Sequence, residues 1–208
     1  MRPDTRNPRP GFMPDYYQQH FQTYHQRTFS IDPSSFLEPL RRFLNPGCTI
    51  LDIGCGSGRD MRWFKNLGFG VSGFERSAGL AELARQNSGC HVIEGDFEVF
   101  DFTALPSDAI LLAGSLVHVP HANLSQVYQK VTTGLRPDGK VLITLKQCNG
   151  TGTDELGRTF YFWQEKELEA LFQGLGFTPL ERNRQISKVN EKDVWLAYVL
   201  ENGAPENR

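Results

Sequence analysis

The chain reads as a single α/β domain, a mostly parallel sheet covered by helices on both faces. Three observations predict it. From Cys48 onward, short apolar runs alternate with helical stretches, the rhythm that gives a parallel sheet with helices packed on each side. The runs Thr49–Ile53, Cys90–Glu94 and Ala109–Ala113 are apolar for most of their length, as strands buried on both faces are. The first of them opens directly into glycines and a helix, the position at which such sheets hold ligands.

At 208 residues the chain suffices for one domain with a substantial core, and it has no internal repeat. A formal net charge of -2 and a pI near 6.2 argue against a broad nucleic-acid footprint, leaving only a local basic patch open. Hydrophobic content of 39% and mean hydropathy of -0.41 are those of an ordinary soluble protein. The best apolar run, residues 109–117, falls short of the roughly 18 residues of a membrane span, so no membrane partner is expected. The opening MRPDTRNPRPGFMP lacks the apolar centre of a secretory signal. Cys48, Cys55, Cys90 and Cys148 show no CxxC pairing. Reduced thiols in the cytoplasm are the expectation, with no metal.

Residues 1–14 carry four prolines and read as a flexible lead. Residues 15–46 form an N-terminal helical lid, residues 47–202 the ligand-binding domain, and residues 203–208 a flexible tail. Within the lid a helix spans Asp15 to about Arg27. Asp32-Pro33 then supplies an N-cap and a first-turn proline for a helix with Phe36, Leu37, Leu40, Phe43 and Leu44 on one face, where Pro39 marks either a kink or a later start. In the domain, helices follow at Arg59–Leu67, Leu80–Asn87, Asn123–Leu135 and Glu165–Leu175. Gly68, Gly89 and Gly176 punctuate three of them. Strands are expected at Thr49–Ile53, Gly70–Phe74, Cys90–Glu94, Ala109–Ala113, Val141–Leu145, Phe177–Glu181 and Val194–Leu200. Pro137-Asp138-Gly139 forms a turn before the fifth.

The central motif is Ile50-Leu51-Asp52-Ile53-Gly54-Cys55-Gly56-Ser57-Gly58-Arg59-Asp60. Glycines permit a tight turn and let a ligand touch the backbone, while the helix start offers free N–H groups. The spacing is G-x-G-x-G and not the dinucleotide G-x-G-x-x-G. Glu75 ends the next apolar run, 21 residues after Gly54, where its carboxylate can accept from two ribose hydroxyls. Asp96 follows the third strand, where it can meet an adenine amino group. Either acid alone reads as a solvated strand end; together, at successive strand ends, they point to a nucleoside site.

From Tyr17 to Leu200 the chain resembles the class I S-adenosylmethionine-dependent methyltransferases. ILDIGCGSGRD is similar to their first motif, with Asp52, Gly54, Cys55, Gly56, Arg59 and Asp60 at the donor. VSGFERS matches the second, with Glu75 and Arg76, and IEGDF the third, with Asp96 and Phe97. AGSLVHVP resembles the segment after the fourth strand, with Ser115 and Leu116. A bacterial subgroup with a Y…T…D N-terminal pattern is matched by Tyr17, Thr28 and Asp32, and its GRxF element by Gly157-Arg158-Thr159-Phe160. The resemblance implies a Rossmann-like methyltransferase fold: a central seven-stranded, mostly parallel sheet with one antiparallel edge-region strand. It implies S-adenosyl-L-methionine as cofactor, S-adenosyl-L-homocysteine as product, and Tyr17 and Thr28 holding the methionine carboxylate end. By residues alone, Tyr17 reads as a half-buried helix residue.

Methyl transfer is an in-line displacement at a sulfonium carbon, so the protein must align the partners, exclude water and, where needed, take a proton. Positive charge on sulfur is lost along the way, so strong binding of the cation would be counterproductive. His118 is the candidate base; the alternative is a structural histidine bonded to backbone. The connection 146–164 is long, with Phe160-Tyr161-Phe162-Trp163 inside it. It reads either as a lid with Lys146 and Arg158 meeting an anionic substrate beside Tyr161 and Trp163, or as aromatics completing the core. The leading function is methyl transfer to an O, N or S atom of a small-molecule acceptor. A tRNA or protein methyltransferase and a non-catalytic binder of the donor are the alternatives; a nicotinamide oxidoreductase is disfavoured by the glycine spacing. The sequence assigns no oligomeric state.

Overall fold

The structure is a computed structural model and describes residues 15–203; the expected lead at 1–14 and most of the expected tail lie outside the described residues. In chain order the elements are α1 (Asp15–Gln19), α2 (Phe21–Thr28), α3 (Ser34–Arg41), β1 (Thr49–Ile53), α4 (Arg59–Asn66), β2 (Gly70–Glu75), α5 (Ala78–Ser88) and β3 (His91–Glu94). Then come β4 (Ser107–Ala113), α6 (His121–Val131), β5 (Leu135–Gln147), β6 (Thr151–Thr153), β7 (Thr159–Tyr161), α7 (Glu165–Gly174), β8 (Phe177–Ile186) and β9 (Val194–Asn202).

Seven strands form one sheet in the order β3-β2-β1-β4-β5-β9-β8. Pairs among β1 to β5 are parallel, whereas β9 runs antiparallel to both β5 and β8. The strand order reverses between β1 and β4, and ligands of such sheets bind outside the carboxyl ends of the strands at that reversal.

Alternation along the strands sorts the core into two layers. Ile50, Ala109, Leu111, Leu142 and Val199 face one side with Leu37 and Leu40 of α3 and Phe64 of α4. Leu51, Ile53, Ile110, Leu112 and Ile143 face the other, with Leu124, Tyr128 and Val131 of α6 and Leu168 and Phe172 of α7. Full burial of a side chain such as Leu37 stabilises the fold by roughly 1.5–3 kcal/mol.

Four local features depart from the sequence expectation. The first helix is broken at His20, giving α1 and α2; Phe21 beyond the break covers Gly79, where a Cβ would stand 2.5 Å from its ring. Pro39 lies inside α3, and the Ser35 carbonyl that its missing N–H cannot reach accepts from the Gln185 side chain at 2.7 Å. Two more contacts join this segment to the chain's end, Arg42 with Glu181 at 2.6 Å and Lys188 with the Asp32 carbonyl at 2.9 Å. Residues 136–139 are absorbed into β5 as an irregularity opposite β4, with Asp138 at φ 59°. Finally, the 146–164 connection contains the β6–β7 hairpin, pinned to the domain by Tyr161 N–H donating to Val117 O at 2.9 Å. Among the described residues no helix is long and apolar enough to cross a membrane.

Tyr128 is fully buried, edge-on to Phe177 at 5.0 Å, and its hydroxyl has no hydrogen-bond partner among the described residues. Removing an unsatisfied buried hydroxyl is neutral or favourable. Tyr128→Phe is therefore expected to leave stability unchanged or raise it by about 1 kcal/mol in a urea titration; a clear loss would show that the hydroxyl is bonded.

Candidate active site

The bend between β1 and α4 sets the geometry. Gly54 stands at φ 76°, and a Cβ there would meet that of Ser115 at 2.5 Å. Gly58, at φ 82°, would meet the Ala84 backbone at 2.8 Å. L-residues avoid this region, at a cost of roughly 1–2 kcal/mol, so both conformation and space call for glycine. The bend is fastened to β2: Gly54 N–H donates to Phe74 O at 2.7 Å.

Glu75 completes the fastening. One carboxylate oxygen accepts from Gly56 N–H at 2.9 Å and the other from Ser77 N–H at 2.9 Å. Burial raises its pKa above the usual range, while the N–H groups of Ser77, Gly56 and Arg76 oppose the rise. Each carboxylate oxygen has two lone pairs, so both can still accept from a ligand.

Two hollows meet at Gly54 and Gly56. The smaller, about 40 Å³, is walled by Asp52, Arg59, Asp60, Cys55, Tyr24 and Thr28. Arg59 is paired with Asp60 at 2.6 Å, and its Nη1 lies 3.4 Å from the Thr28 carbonyl. Asp52 is buried, its Oδ2 lacks a hydrogen-bond donor among the described residues, and its pKa is raised by burial and then by Asp60, against Arg59. The Thr28 hydroxyl donates to Tyr24 O at 2.8 Å. Burial likewise pushes the Cys55 thiol up, leaving it protonated.

The larger hollow, about 130 Å³, is walled by Glu75, Arg76, Phe97, Ser115, Tyr17 and His118, with apolar Phe74, Leu80 and Val119. Tyr17 O–H lies 2.9 Å from His118 Nε2, and His118 Nδ1 lies 2.5 Å from the Thr159 carbonyl. Burial first, then Arg158 and Lys146, depress the His118 pKa, so the imidazole is neutral at pH 7. Ser115 presents a buried hydroxyl with no hydrogen-bond partner among the described residues.

Of the expected donor residues, the structure brings Tyr17, Thr28, Asp52, Gly54, Cys55, Gly56, Arg59, Asp60, Glu75, Arg76, Phe97 and Ser115 onto these two walls. Tyr17 faces the larger hollow and not the smaller one with Thr28. Two residues lie elsewhere. Leu116 is fully buried in the core, because its side chain points under the sheet. Asp96 accepts from Glu98 N–H at 2.9 Å and lies 3.4 Å from Arg76, while its neighbours Gly95 and Phe97 line the wall.

The expected substrate residues line neither hollow: Lys146 and Arg158 lie about Phe160, and Tyr161 and Trp163 about His121. Lys146 is paired with Asp193 at 2.7 Å and sits over the Phe160 ring. Arg158 is paired with Asp154 at 2.6 Å. Trp163 is 6% exposed and belongs to the core, against His121 at 4.5 Å. The expected place of Trp163 beside a substrate is thus corrected: it and Phe160 are buried on either side of the half-buried pair Tyr161 and Phe162. Tyr24, on both walls, was missed; its spacing of seven from Tyr17 is the signal that places both rings on one helical face.

Comparison with known proteins agrees with this geometry. Residues 50–139 match the family model described as a methyltransferase domain. A probable fatty acid methyltransferase of Pseudomonas putida is 32% identical over 117 residues, 51% of this chain and 30% of that protein. A malonyl-[acyl-carrier protein] O-methyltransferase of Enterobacter lignolyticus is 30% identical over 130 residues, covering 62% of this chain and 48% of its own. The chain spans less than half the length of these curated relatives. Among solved structures, the 1,6-didemethyltoxoflavin-N1-methyltransferase of Burkholderia thailandensis with bound S-adenosylhomocysteine superposes with a TM-score of 0.71 at 21% identity, over 90% of this chain and 84% of its own. The order of the seven strands, the glycine bend clasped by Glu75 and the methyltransferase-domain match over residues 50–139 make this segment similar to the class I S-adenosylmethionine-dependent methyltransferases.

Proposed function

We propose that the chain is a cytoplasmic enzyme that moves a methyl group from S-adenosyl-L-methionine to an O, N or S atom of a small-molecule acceptor. The observation that carries the donor assignment is the unpartnered Oδ2 of buried Asp52 on the wall of the smaller hollow. A buried carboxylate oxygen left without a donor is costly, and a cation relieves it. Asp52 accordingly takes the methionine ammonium and Arg59 the methionine carboxylate. Glu75 takes the ribose hydroxyls, with adenine against Phe97. The bound donor supplies an electrophilic methyl on a cationic sulfur; the protein's part is to align, desolvate and accept a proton.

The lid is α1 and α2. Tyr17 O accepts from the Ser77 hydroxyl at 3.1 Å and the Gln18 side chain accepts from Ala78 N–H at 3.0 Å, so these helices close over the donor from the start of α5. The segment 34–41, grouped with the lid on sequence, contributes Leu37 and Leu40 to the core and belongs to the domain. A small acceptor is supported by the modest hollow and by the small molecule, 1,6-didemethyltoxoflavin, bound to the similar Burkholderia thailandensis enzyme. The free thiols of Cys48, Cys55, Cys90 and Cys148 suit a reducing compartment.

Calorimetry with S-adenosylhomocysteine and the methionine form is expected to show binding to the full chain. Glu75→Ala should weaken it by about 10-fold or more, as loss of charged hydrogen bonds does; unchanged affinity would displace Glu75 from the ribose. Methyl-labelled donor incubated with fractionated extract should label a small molecule, and label confined to RNA or protein would overturn the acceptor class.

Affinity should also depend on pH through Asp52. A cation favours the ionised carboxylate, so binding is complete above the raised Asp52 pKa and lost as pH falls through it. Asp52→Asn should bind more weakly, with that acid limb flattened in the same calorimetric series.

A further inference from the structure

Tyr17, His118, Thr159, Arg158 and Asp154 form one connected chain of polar contacts drawn from α1, the loop after β4 and the β6–β7 hairpin. Its direction can be read. The Thr159 carbonyl only accepts, so the 2.5 Å contact fixes a proton on His118 Nδ1. Neutral His118 then offers Nε2 as an acceptor, and Tyr17 O–H is the donor at 2.9 Å. Tyr17 oxygen retains its lone pairs; Arg158 Nη1 approaches it at 3.4 Å, which leaves a lone pair for a group in the hollow that Tyr17 lines.

Arg158 is held in place from several sides. Asp154 binds its Nε at 2.8 Å and Nη2 at 2.6 Å, and collects the backbone N–H of Leu156 and Arg158 with its other oxygen. The guanidinium lies 4.9 Å from the Tyr16 ring and 5.3 Å from that of Phe160. Its Nε and Nη2 are taken by Asp154, and its remaining nitrogen, Nη1, reaches toward Tyr17.

We propose that Arg158 is a positioning residue for a Tyr17–His118 proton acceptor: anchored by Asp154, it orients the Tyr17 hydroxyl and keeps the paired imidazole neutral until the methyl acceptor arrives. This rests on the reading that the hollow holds the donor and its acceptor. In the step served, the acceptor's O–H or N–H proton passes to Tyr17 oxygen as the Tyr17 proton passes to His118 Nε2. The acceptor's freed electron pair forms the bond to the methyl carbon, and the pair of the broken C–S bond stays on sulfur. The imidazolium afterwards loses its proton to water, resetting the pair.

The charges facing the pair fit this role. Lys146 on β5 and Arg158 oppose protonation of His118, as burial does more strongly, while Asp154 and the Thr159 carbonyl favour it. Around Tyr17, burial and Glu75 oppose ionisation and Arg158 favours it, with Tyr16 a weak further opponent. Arg158 is the group common to both sides.

The test is a ¹⁵N NMR titration of His118 in the full chain without donor, its signal assigned by loss in His118→Gln. Arg158→Gln should raise the His118 midpoint by about half a pH unit, Arg158→Lys should restore it, and Asp154→Asn should lower it. The wild-type spectrum should show the proton on Nδ1. In Arg158→Gln, the acid limb of kcat/KM should move up with the midpoint. A midpoint unmoved by both Arg158→Gln and Asp154→Asn, or a proton on Nε2, would overturn the proposal. If Arg158→Gln does not fold, the direction of the Asp154→Asn shift decides. Because the titration needs no donor, a chain that fails to bind S-adenosylmethionine would overturn the proposed function by a separate measurement.

Discussion

The carboxylate of Glu75 is the constraint on which the site depends. It is the last residue of β2, yet it bonds the backbone of the bend after β1 and the backbone that starts α5. Two crossovers are thereby held at a fixed separation by a single side chain. The cost of burying that charge is offset by charge-assisted N–H bonds, roughly twice as strong as neutral ones. With the bend fixed, Gly54 can lie against Ser115 and Gly58 against Ala84, and the reversal between β1 and β4 opens as a hollow. The same group therefore builds the floor and presents its remaining lone pairs to a ligand.

Much of this was legible because it is written in backbone chemistry. A glycine with positive φ has few substitutes, so three glycines after a buried strand define a bend wherever they occur. An acid at the next strand end shares the same edge of a parallel sheet whatever the helices do. The alternation of runs placed all seven strands of the main sheet, and the antiparallel β9 was anticipated through the family resemblance. Boundaries drifted by up to six residues, chiefly where β5 extends back through its irregularity to Leu135 and where β8 runs on to Ile186.

The acceptor side was not legible, for a physical reason. Its residues reach the site by pairings between distant segments that no local period encodes. Lys146 and Arg158 are basic in sequence, but their Asp193 and Asp154 partners neutralise them in space. Trp163 looks like a surface aromatic of a loop until the hairpin turns it into the core. His118 was singled out as an isolated base, whereas its lone pair is already occupied by Tyr17, 101 residues away. Tyr24 was passed over because the expected pattern emphasised its neighbours, although its ring stands against Gly56.

The proline in α3 has an implication for the order of assembly. The Ser35 carbonyl, Arg42 and the Asp32 carbonyl all find their partners between Glu181 and Lys188, near the far end of the polypeptide. While a ribosome is still making the first four strands, those partners do not yet exist, and α3 has only its apolar contacts with early elements such as β1 and α4 to rest on. Contacts between such remote segments are the slow ones to form. The polar clasp around α3 is thus completed only once β8 has emerged, whereas α1 and α2 can already dock on the start of α5.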